Sequence, residues 1–237
     1  MEDDEPPSRL NGCYSELGIS LEDEKSIECY LGLLFKHSPV TYEHSVRVGE
    51  MCFGLGDFAR EFRDYENLNL RELFCAGLLH DIGKLRNDSD ILEEPWSARG
   101  QHIEEVKKHP SEGYKILTLG QREGLDCEGL RNYRVSGLAC LLHHESQKDF
   151  YPNLEEVLGL KLDFFEKEEV ERAIEYSKLI ALVDSYDSMV YKNGHFPHEK
   201  AMGKLIDGAR SKEQELLRTM MVRERDKEIF WNLCVVV

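Results

Sequence analysis

Amphipathic helical patterns follow one another along almost the whole chain, and they constrain the fold more than any other feature. Apolar residues recur at intervals of three and four, and strand-like alternation is nearly absent. The sequence predicts an all-α fold with one core, which suits a chain of 237 residues. The first predicted helix follows a cap at Ser20 and covers IECYLGLLF, and the others cover about residues 40–63, 69–81, 100–108, 110–119, 128–144, 167–191, 197–208 and 211–226.

The segments between these helices hold most of the Pro, Asn and Asp residues, and we interpret 86–98, 145–166 and 192–197 as loops. Residues 1–19 carry acidic, Pro, Ser and Gly residues with little periodicity, and we predict a mobile N-terminal segment there. Ser20 is a good N-cap for the helix that follows, because three acidic residues lie in its first turn. Residues 20–237 then form one domain.

Charge and hydropathy exclude several classes of function. The formal net charge of -16 would repel a nucleic-acid backbone, so an anionic ligand has to be bound locally, by a few cations or metal ions. No apolar run approaches the roughly 20 residues that cross a bilayer, and the N-terminus MEDDEPPSRL is acidic, so we expect a cytoplasmic protein. Seven cysteines without a CxxC motif predict reduced core thiols.

Histidine and aspartate residues at helix ends and on apolar faces are the candidate functional residues. His80 and Asp81 end the apolar run FCAGLLHD, and Asp184 follows LIALV in a later helix, so these carboxylates are predicted to be buried and to need a cation. Asp187, one turn further, can support a ligand or contact a substrate. The full set predicted to bind metal is His44, His80, Asp81, His109, His143, His144 and Asp184.

Imidazole and carboxylate groups are the ligands of zinc, manganese and iron, and seven of them are too many for one ion of four to six ligands. Two divalent ions bridged by a carboxylate are the economical solution. Such a pair can activate a hydroxide for attack on phosphorus and stabilise the attacking and leaving oxygens. A lone helical histidine is more often structural, and it is the number of these residues together that favours a metal centre.

The segments TYEHSVRVGE, GLLHDIGKL, KKHPSEGYKIL, LLHHES and LIALVDSYDSM resemble, in order and spacing, the motifs of the HD superfamily of metal-dependent phosphohydrolases. Within it they are similar to the HD-GYP branch, the cyclic di-GMP phosphodiesterases. The resemblance covers about residues 40–210 and implies an HD-domain helical bundle with iron or manganese in its centre.

The resemblance also implies roles for single residues. His44, His80, Asp81 and Asp184 would bind one ion, and His109, His143 and His144 would bind the second, with Asp81 bridging. Lys84 and Arg47 match basic positions that contact phosphate or support the site, and we count Asp81 and Lys84 as catalytic. Lys84, Arg47 and Asp187 are the candidate substrate-binding residues. A surface salt bridge with Glu43 or Glu50 is the alternative for Arg47.

Two departures from the branch bear on specificity. The loop after the paired histidines reads SQKDFYP, in which Phe150 stands where the branch carries glycine, so the pocket wall is expected to differ. Members with a third metal carry glutamate one turn before the first histidine, where this chain has Val40, which predicts two ions.

The sequence therefore predicts a phosphodiesterase or other phosphohydrolase that acts on a small nucleotide, with a cyclic dinucleotide as the first choice of substrate. Two other classes of function stay open. Some HD-fold proteins use a similar ligand set around two irons to activate dioxygen, and a non-catalytic nucleotide-binding signalling module would keep the fold without turnover. Oxygen uptake by the iron form would favour the oxygenase, and binding without turnover would favour the module.

Overall fold

The computed structural model describes residues 10–94, 99–121, 124–125, 129–144, 165–192, 196–209 and 211–222, and helices dominate these ranges as predicted. The α-helices are α1 (Asn11–Glu16), α2 (Leu21–His37), α3 (Pro39–Ala59), α4 (Leu70–Leu79), α5 (Ser89–Glu93), α6 (Ile103–Val106), α7 (His109–Thr118), α8 (Arg134–Leu142), α9 (Lys167–Asp187), α10 (His198–Gly208) and α11 (Ser211–Val222). Short 3-10 turns span Arg63–Tyr65, Ile82–Arg86 and Arg99–His102, and a π-helical turn, Ser188–Lys192, continues α9.

Local sequence sets where the long helices begin. The Ser20 hydroxyl accepts a hydrogen bond from the Asp23 backbone at 3.1 Å, which confirms it as the cap of α2. Ser38 caps α3 in the same way, and Pro39 occupies the first turn, where its missing N–H costs nothing. Asn69 caps α4 by accepting from the Glu72 backbone at 3.2 Å.

Helix α3 lies along α4 and also contacts α9, while α8 packs against α4, α7 and α9. The predicted apolar repeat of α3, which includes Val48, Met51, Cys52 and Leu55, is at most 1% exposed and lies in the main core cluster. The same packing brings the middle of α3, the end of α4, the start of α7 and the end of α8 together. No helix among the described residues is both long enough and apolar enough to cross a membrane.

Several predicted boundaries are wrong. Residues 10–19 are not a loose segment: Leu10 and Tyr14 are 3% exposed, and the Tyr14 ring meets Phe74 edge-on at 6.0 Å. This burial holds α1 on the core, while residues 1–9 lie outside the described ranges. The predicted loop 86–98 contains α5, which the Asp88 side chain caps.

The helix predicted from residue 128 begins at Arg134. The residues just before it bond to neighbouring elements instead, since the Arg131 backbone donates to Ser26 Oγ at 2.9 Å and the Tyr133 backbone donates to the Leu117 carbonyl at 2.8 Å.

The prediction of reduced thiols holds for the described Cys13, Cys52, Cys75 and Cys140. It is wrong for Cys29, which is disulfide-bonded.

Candidate metal centre

The seven predicted metal ligands meet in one buried cluster. His44 lies in the middle of α3, His80 and Asp81 directly follow α4, and His109 is the first residue of α7. The others come from the end of α8 and from α9. All are at most 8% exposed, in the set His44, His80, Asp81, His109, His143, His144 and Asp184.

The potential ligand atoms form two groups that share no residue and a third that overlaps both, each with its atoms within 4.8 Å of one another. The first group is His44, His80 and Asp184, the second is His109, His143 and His144, and the overlapping group is His80, Asp81 and His143. In the second group, the Nε2 atom of His109 lies 3.4 Å from that of His143 and 3.3 Å from that of His144. The resemblance assigned the members of the first group to one ion and those of the second group to the other, and that assignment stays a prediction.

Asp81 lies between the two groups and faces both. Its Oδ1 atom is 3.1 Å from His109 Nε2, in the second group. Its Oδ2 atom is 3.5 Å from both His44 Nε2 and His80 Nε2, in the first group. A carboxylate with one oxygen on each side has the geometry that a bridging ligand requires.

Hydrogen bonds fix the orientation and tautomer of the histidines. The Nδ1 atoms of His80, His109 and His143 donate to the backbone carbonyls of Gly77, Val106 and Cys140, at 2.7, 2.7 and 2.5 Å. Because a carbonyl oxygen only accepts, these Nδ1 atoms carry the proton in the neutral ring. Each Nε2 atom then presents a lone pair to the cluster, as in a metal-ligating histidine.

Two buried histidine nitrogens in the first group lack a hydrogen-bond partner. His44 Nε2 and His80 Nε2 are buried and make no hydrogen bond, although Asp184 Oδ1 lies 3.1 Å from His44 Nε2. In the second group, His109 and His143 direct two lone pairs at each other. Unpaired buried acceptors and facing lone pairs are both costly, and a cation between them removes that cost. The residues present therefore fit divalent metal ions.

Protonation favours the same interpretation. Burial lowers the pKa of His80 to about 4, and burial together with the neighbouring His144 lowers the pKa of His143 well below its usual value. Burial alone would raise the pKa of Asp81, but Lys84 and His80 hold it well below the ordinary range. Burial opposes ionisation of Asp184 too, but His44, together with His144 and His80, lowers that pKa well below its usual value. Neutral imidazoles and ionised carboxylates are the forms that bind metal.

Lys84 lies inside the centre. It is 8% exposed, and its ammonium group contacts Asp81 Oδ2. Asp81 thus supplies the anionic partner that a buried cation requires. Lys84 is therefore paired with a carboxylate of the cluster, and its role in substrate binding stays a prediction.

Arg47 and Asp187 are paired with each other. Arg47 Nε donates to Asp187 Oδ1 at 2.6 Å and Nη2 donates to Oδ2 at 3.0 Å. The alternative of a surface salt bridge with Glu43 or Glu50 is not what forms. Asp187 is fully buried and also accepts from His44 Nδ1 at 2.6 Å, which favours its predicted role as support for a ligand.

Sequence reasoning missed the close backbone contacts that bring the ligands together. A Cβ atom on Gly83 would lie 1.9 Å from the His109 carbonyl oxygen, and one on Gly113 would lie 2.4 Å from Cys140 Sγ. Cys140 in turn donates its thiol hydrogen to the His80 carbonyl at 2.7 Å. The glycine of GLLHDIGKL was the available signal, since a glycine beside a polar pair often marks a close approach.

Comparison with known proteins places this cluster in a family. The family model described as HD domain matches residues 41–189, more than half of the chain, and these bounds enclose all seven clustered residues. The chain belongs to the HD domain family. The HD domain explains why these residues converge although the first and last lie 140 positions apart in the sequence.

Several curated relatives share parts of this HD domain. "Cyclic di-GMP phosphodiesterase PA4108" of Pseudomonas aeruginosa is 37% identical over 108 residues, which cover 44% of this chain and 22% of that protein. "Cyclic di-GMP phosphodiesterase" of Thermotoga maritima is 32% identical over 65% of this chain and 36% of its own length. "3'3'-cGAMP-specific phosphodiesterase 1" of Vibrio cholerae is 29% identical over 51% of this chain and 27% of its own length. The chain thus spans about a third or less of each of these relatives.

The prediction about the SQKDFYP loop falls outside the described residues, because residues 145–164 are not among them. Val40, the position at which three-metal members carry glutamate, is described: it is 42% exposed and lies one helical turn before His44 on α3.

Proposed function

We propose that this HD domain is a metal-dependent phosphodiesterase that hydrolyses a cyclic dinucleotide with the help of two divalent ions, iron or manganese by resemblance. The observation that carries the proposal is the position of Asp81, which directs one carboxylate oxygen at each of two histidine-rich groups. A binuclear centre needs a bridging ligand, and a single ion would leave the buried histidines of the other group without a metal to bind.

The first ion would be held by His44, His80, Asp184 and Asp81 Oδ2, and the second by His109, His143, His144 and Asp81 Oδ1. Four ligands for each ion leave two positions of a six-coordinate iron or manganese ion for water and substrate. When bound, such a metal pair supplies an activated hydroxide and neutralises negative charge on a phosphate.

The residues around the pair would have separate tasks. Asp81 would bridge the two ions, since one of its oxygens faces the first group and the other faces the second. The Lys84 ammonium contacts Asp81 Oδ2, the oxygen assigned to the first ion, so it would turn from that oxygen toward the phosphate when the ion binds and stabilise charge growing on the phosphate oxygens. The carbonyls of Gly77, Val106 and Cys140 keep the imidazole lone pairs directed inward.

The named activities of the relatives support the substrate class. Two of those described above are named for cyclic di-GMP and the third for 3'3'-cGAMP. A small dianionic substrate also suits a chain with a net charge of -16, because the metal ions would provide the local positive charge that the surface lacks. We propose a cyclic dinucleotide, without choosing between guanine and adenine.

The test is to purify the full chain, remove metal with chelator, reload it with Mn²⁺ or Fe²⁺ and measure bound ions and hydrolysis of a panel of cyclic dinucleotides. We expect two ions per chain and cleavage that continues without oxygen, which separates phosphodiester hydrolysis from dioxygen chemistry. His80→Ala and Asp81→Ala are expected to lose metal and activity together.

A matched control is Arg172→Met, which removes an ion pair between Arg172 and Glu72 that lies away from the cluster. It should keep both ions and full activity. Wild-type turnover by metal-depleted His80→Ala protein would contradict the proposal, and so would failure of both metal forms to cleave every ester in the panel.

A further inference from the structure

His44 is oriented differently from three of the other histidines in the centre. His80, His109 and His143 each donate Nδ1–H to a carbonyl three residues earlier in their own segment. His44 instead donates to Asp187 Oδ2 at 2.6 Å, across a separation of 143 residues. Among these four rings, the orientation of His44 therefore depends on a contact between two helices.

The Asp187 carboxylate has little capacity left for anything else. It is 0% exposed, and its oxygens accept one hydrogen bond from His44 and two from Arg47. Three charge-assisted bonds in a buried site hold a carboxylate in one orientation. A substrate would have to displace Arg47 or His44 to reach it.

Arg47 contacts both the Asp187 carboxylate and the ring of Tyr191. Its side chain is 11% exposed, and its guanidinium carbon lies 4.7 Å from the centre of the Tyr191 ring, in the π-helical turn that follows α9. A guanidinium group can lie over an aromatic ring and contact both oxygens of a carboxylate at once, and the lysine ammonium cannot make that two-pronged contact. Arg47 thus fixes Asp187 from α3, the helix that also carries His44.

From these contacts we infer that Asp187, clamped by Arg47, is the positioning residue for His44 and sets the affinity of the first metal group. Arg47 acts through Asp187 and not on the phosphate. Asp187 lies one helical turn after Asp184 on α9. The clamp therefore also fixes the distance between His44 on α3 and Asp184 on α9, which would bind the same ion. This inference rests on the metal centre of the proposed function.

The effect is selective for one ion. His109 and His143 take their orientation from carbonyls of their own segments and make no contact with Asp187 or Arg47 among the described hydrogen bonds. Loss of the clamp should therefore weaken the ion bound by His44, His80 and Asp184 and spare the ion bound by His109, His143 and His144.

The experiment is calorimetric titration of metal-free protein with Mn²⁺, for wild type, Asp187→Asn, Arg47→Met and Arg47→Lys. Outer partners of ligating histidines typically change metal affinity by about 10- to 100-fold. We expect one of the two sites to weaken by that factor in Asp187→Asn and Arg47→Met, with the other within about twofold. The affinity of that site in Arg47→Lys should lie between those of wild type and Arg47→Met, because lysine keeps the positive charge but cannot contact both carboxylate oxygens.

Arg172→Met is the matched control, since it removes an arginine–carboxylate pair from the same helix α9 without touching the clamp. It should bind both ions as wild type does. Loss of an equal factor at both sites, or no loss at either, would overturn the positioning role.

A third result has its own meaning. If Arg47→Met binds both ions normally and raises KM for a cyclic dinucleotide, Arg47 contacts phosphate directly and the clamp is not its function. Failure of the wild type to bind any ion would contradict the proposed metal centre itself. Should Asp187→Asn fail to fold, Arg47→Lys decides the question, since it keeps the buried charge paired.

Discussion

Substitution of Gly83 by alanine tests whether the close approach of two segments assembles the metal centre. Gly83 lies in the 3-10 turn after Asp81, against the first residues of α7. An added Cβ atom would lie 1.9 Å from the His109 carbonyl oxygen and 2.4 Å from the Gly113 backbone nitrogen. Both are backbone atoms, so no side-chain rotation relieves the clash.

The size of the effect follows from these distances. Ordinary contact begins near 3.4 Å, so the turn and α7 must separate by about 1.5 Å at this point. Overpacking of this kind costs about 1–3 kcal/mol, which lowers Tm by roughly 2–12 °C in a chain of this size. Asp81 Oδ1 lies 3.1 Å from His109 Nε2, and displacement of α7 widens that gap. Because misplacement by about 1 Å can cost about 100-fold in rate, we expect at least that loss of hydrolysis.

The assay combines thermal unfolding, bound-metal analysis and turnover. Gly32→Ala is the matched control, since Gly32 lies inside α2 with no atom within 4 Å of an added Cβ. It should gain about 0.5–1 kcal/mol in stability and keep full activity. Gly83→Ala protein with wild-type Tm, two bound ions and normal turnover would refute the idea that this contact builds the centre.

Four further predictions concern single side chains. Burial lowers the pKa of His80 to about 4 in the folded chain against about 6.5 in the unfolded chain, so the unfolded chain binds more protons between these values. His80 alone should lower the free energy of unfolding of the metal-free protein by about 3 kcal/mol from pH 7 to pH 4 in urea titrations, and the lowered pKa of His143 adds to that loss. His80→Gln should flatten that slope. Tyr14→Ala should cost about 3 kcal/mol or more by urea unfolding, because it empties a core position beside Phe74; a negligible loss would mean that α1 is loosely attached. Lys84→Met should lower turnover about 100-fold while bound metal stays unchanged, and joint loss of both would assign Lys84 to the architecture of the centre. Val40→Glu should raise bound Mn²⁺ from two ions to three, and an unchanged count would separate Val40 from the metal centre.

Repeated side-chain chemistry made much of the fold predictable. The apolar repeat of α3 and the caps at Ser20, Ser38 and Asn69 are local features, so the sequence displays them directly. Short helices are different. Helix α1 spans 6 residues and α5 spans 5, too few for a period to be seen, and burial of Tyr14 against α4 is a tertiary contact that no local pattern reveals.

The candidate centre also has features that the sequence predicts and features that it does not. The residues that meet in it could be named from the sequence, because histidine and aspartate at apolar helix ends are conspicuous and their motifs resemble a family. The partners of those residues could not. The Arg47–Asp187 clamp joins positions 140 residues apart, and the role of Gly83 depends on how closely α7 approaches the turn. Such contacts follow from packing, which a one-dimensional pattern does not encode.

The backbone carbonyls behind His80, His109 and His143 have a consequence for metal exchange. Because helix ends hold these rings, the donor cage is rigid before any ion enters, and it cannot shrink or expand much to suit a particular radius. Nitrogen and carboxylate donors serve several first-row ions, whose intrinsic preferences follow one common order. A rigid cage discriminates between such ions by their radius, so we expect first-row ions that do not fit it to bind more weakly than the common order alone predicts.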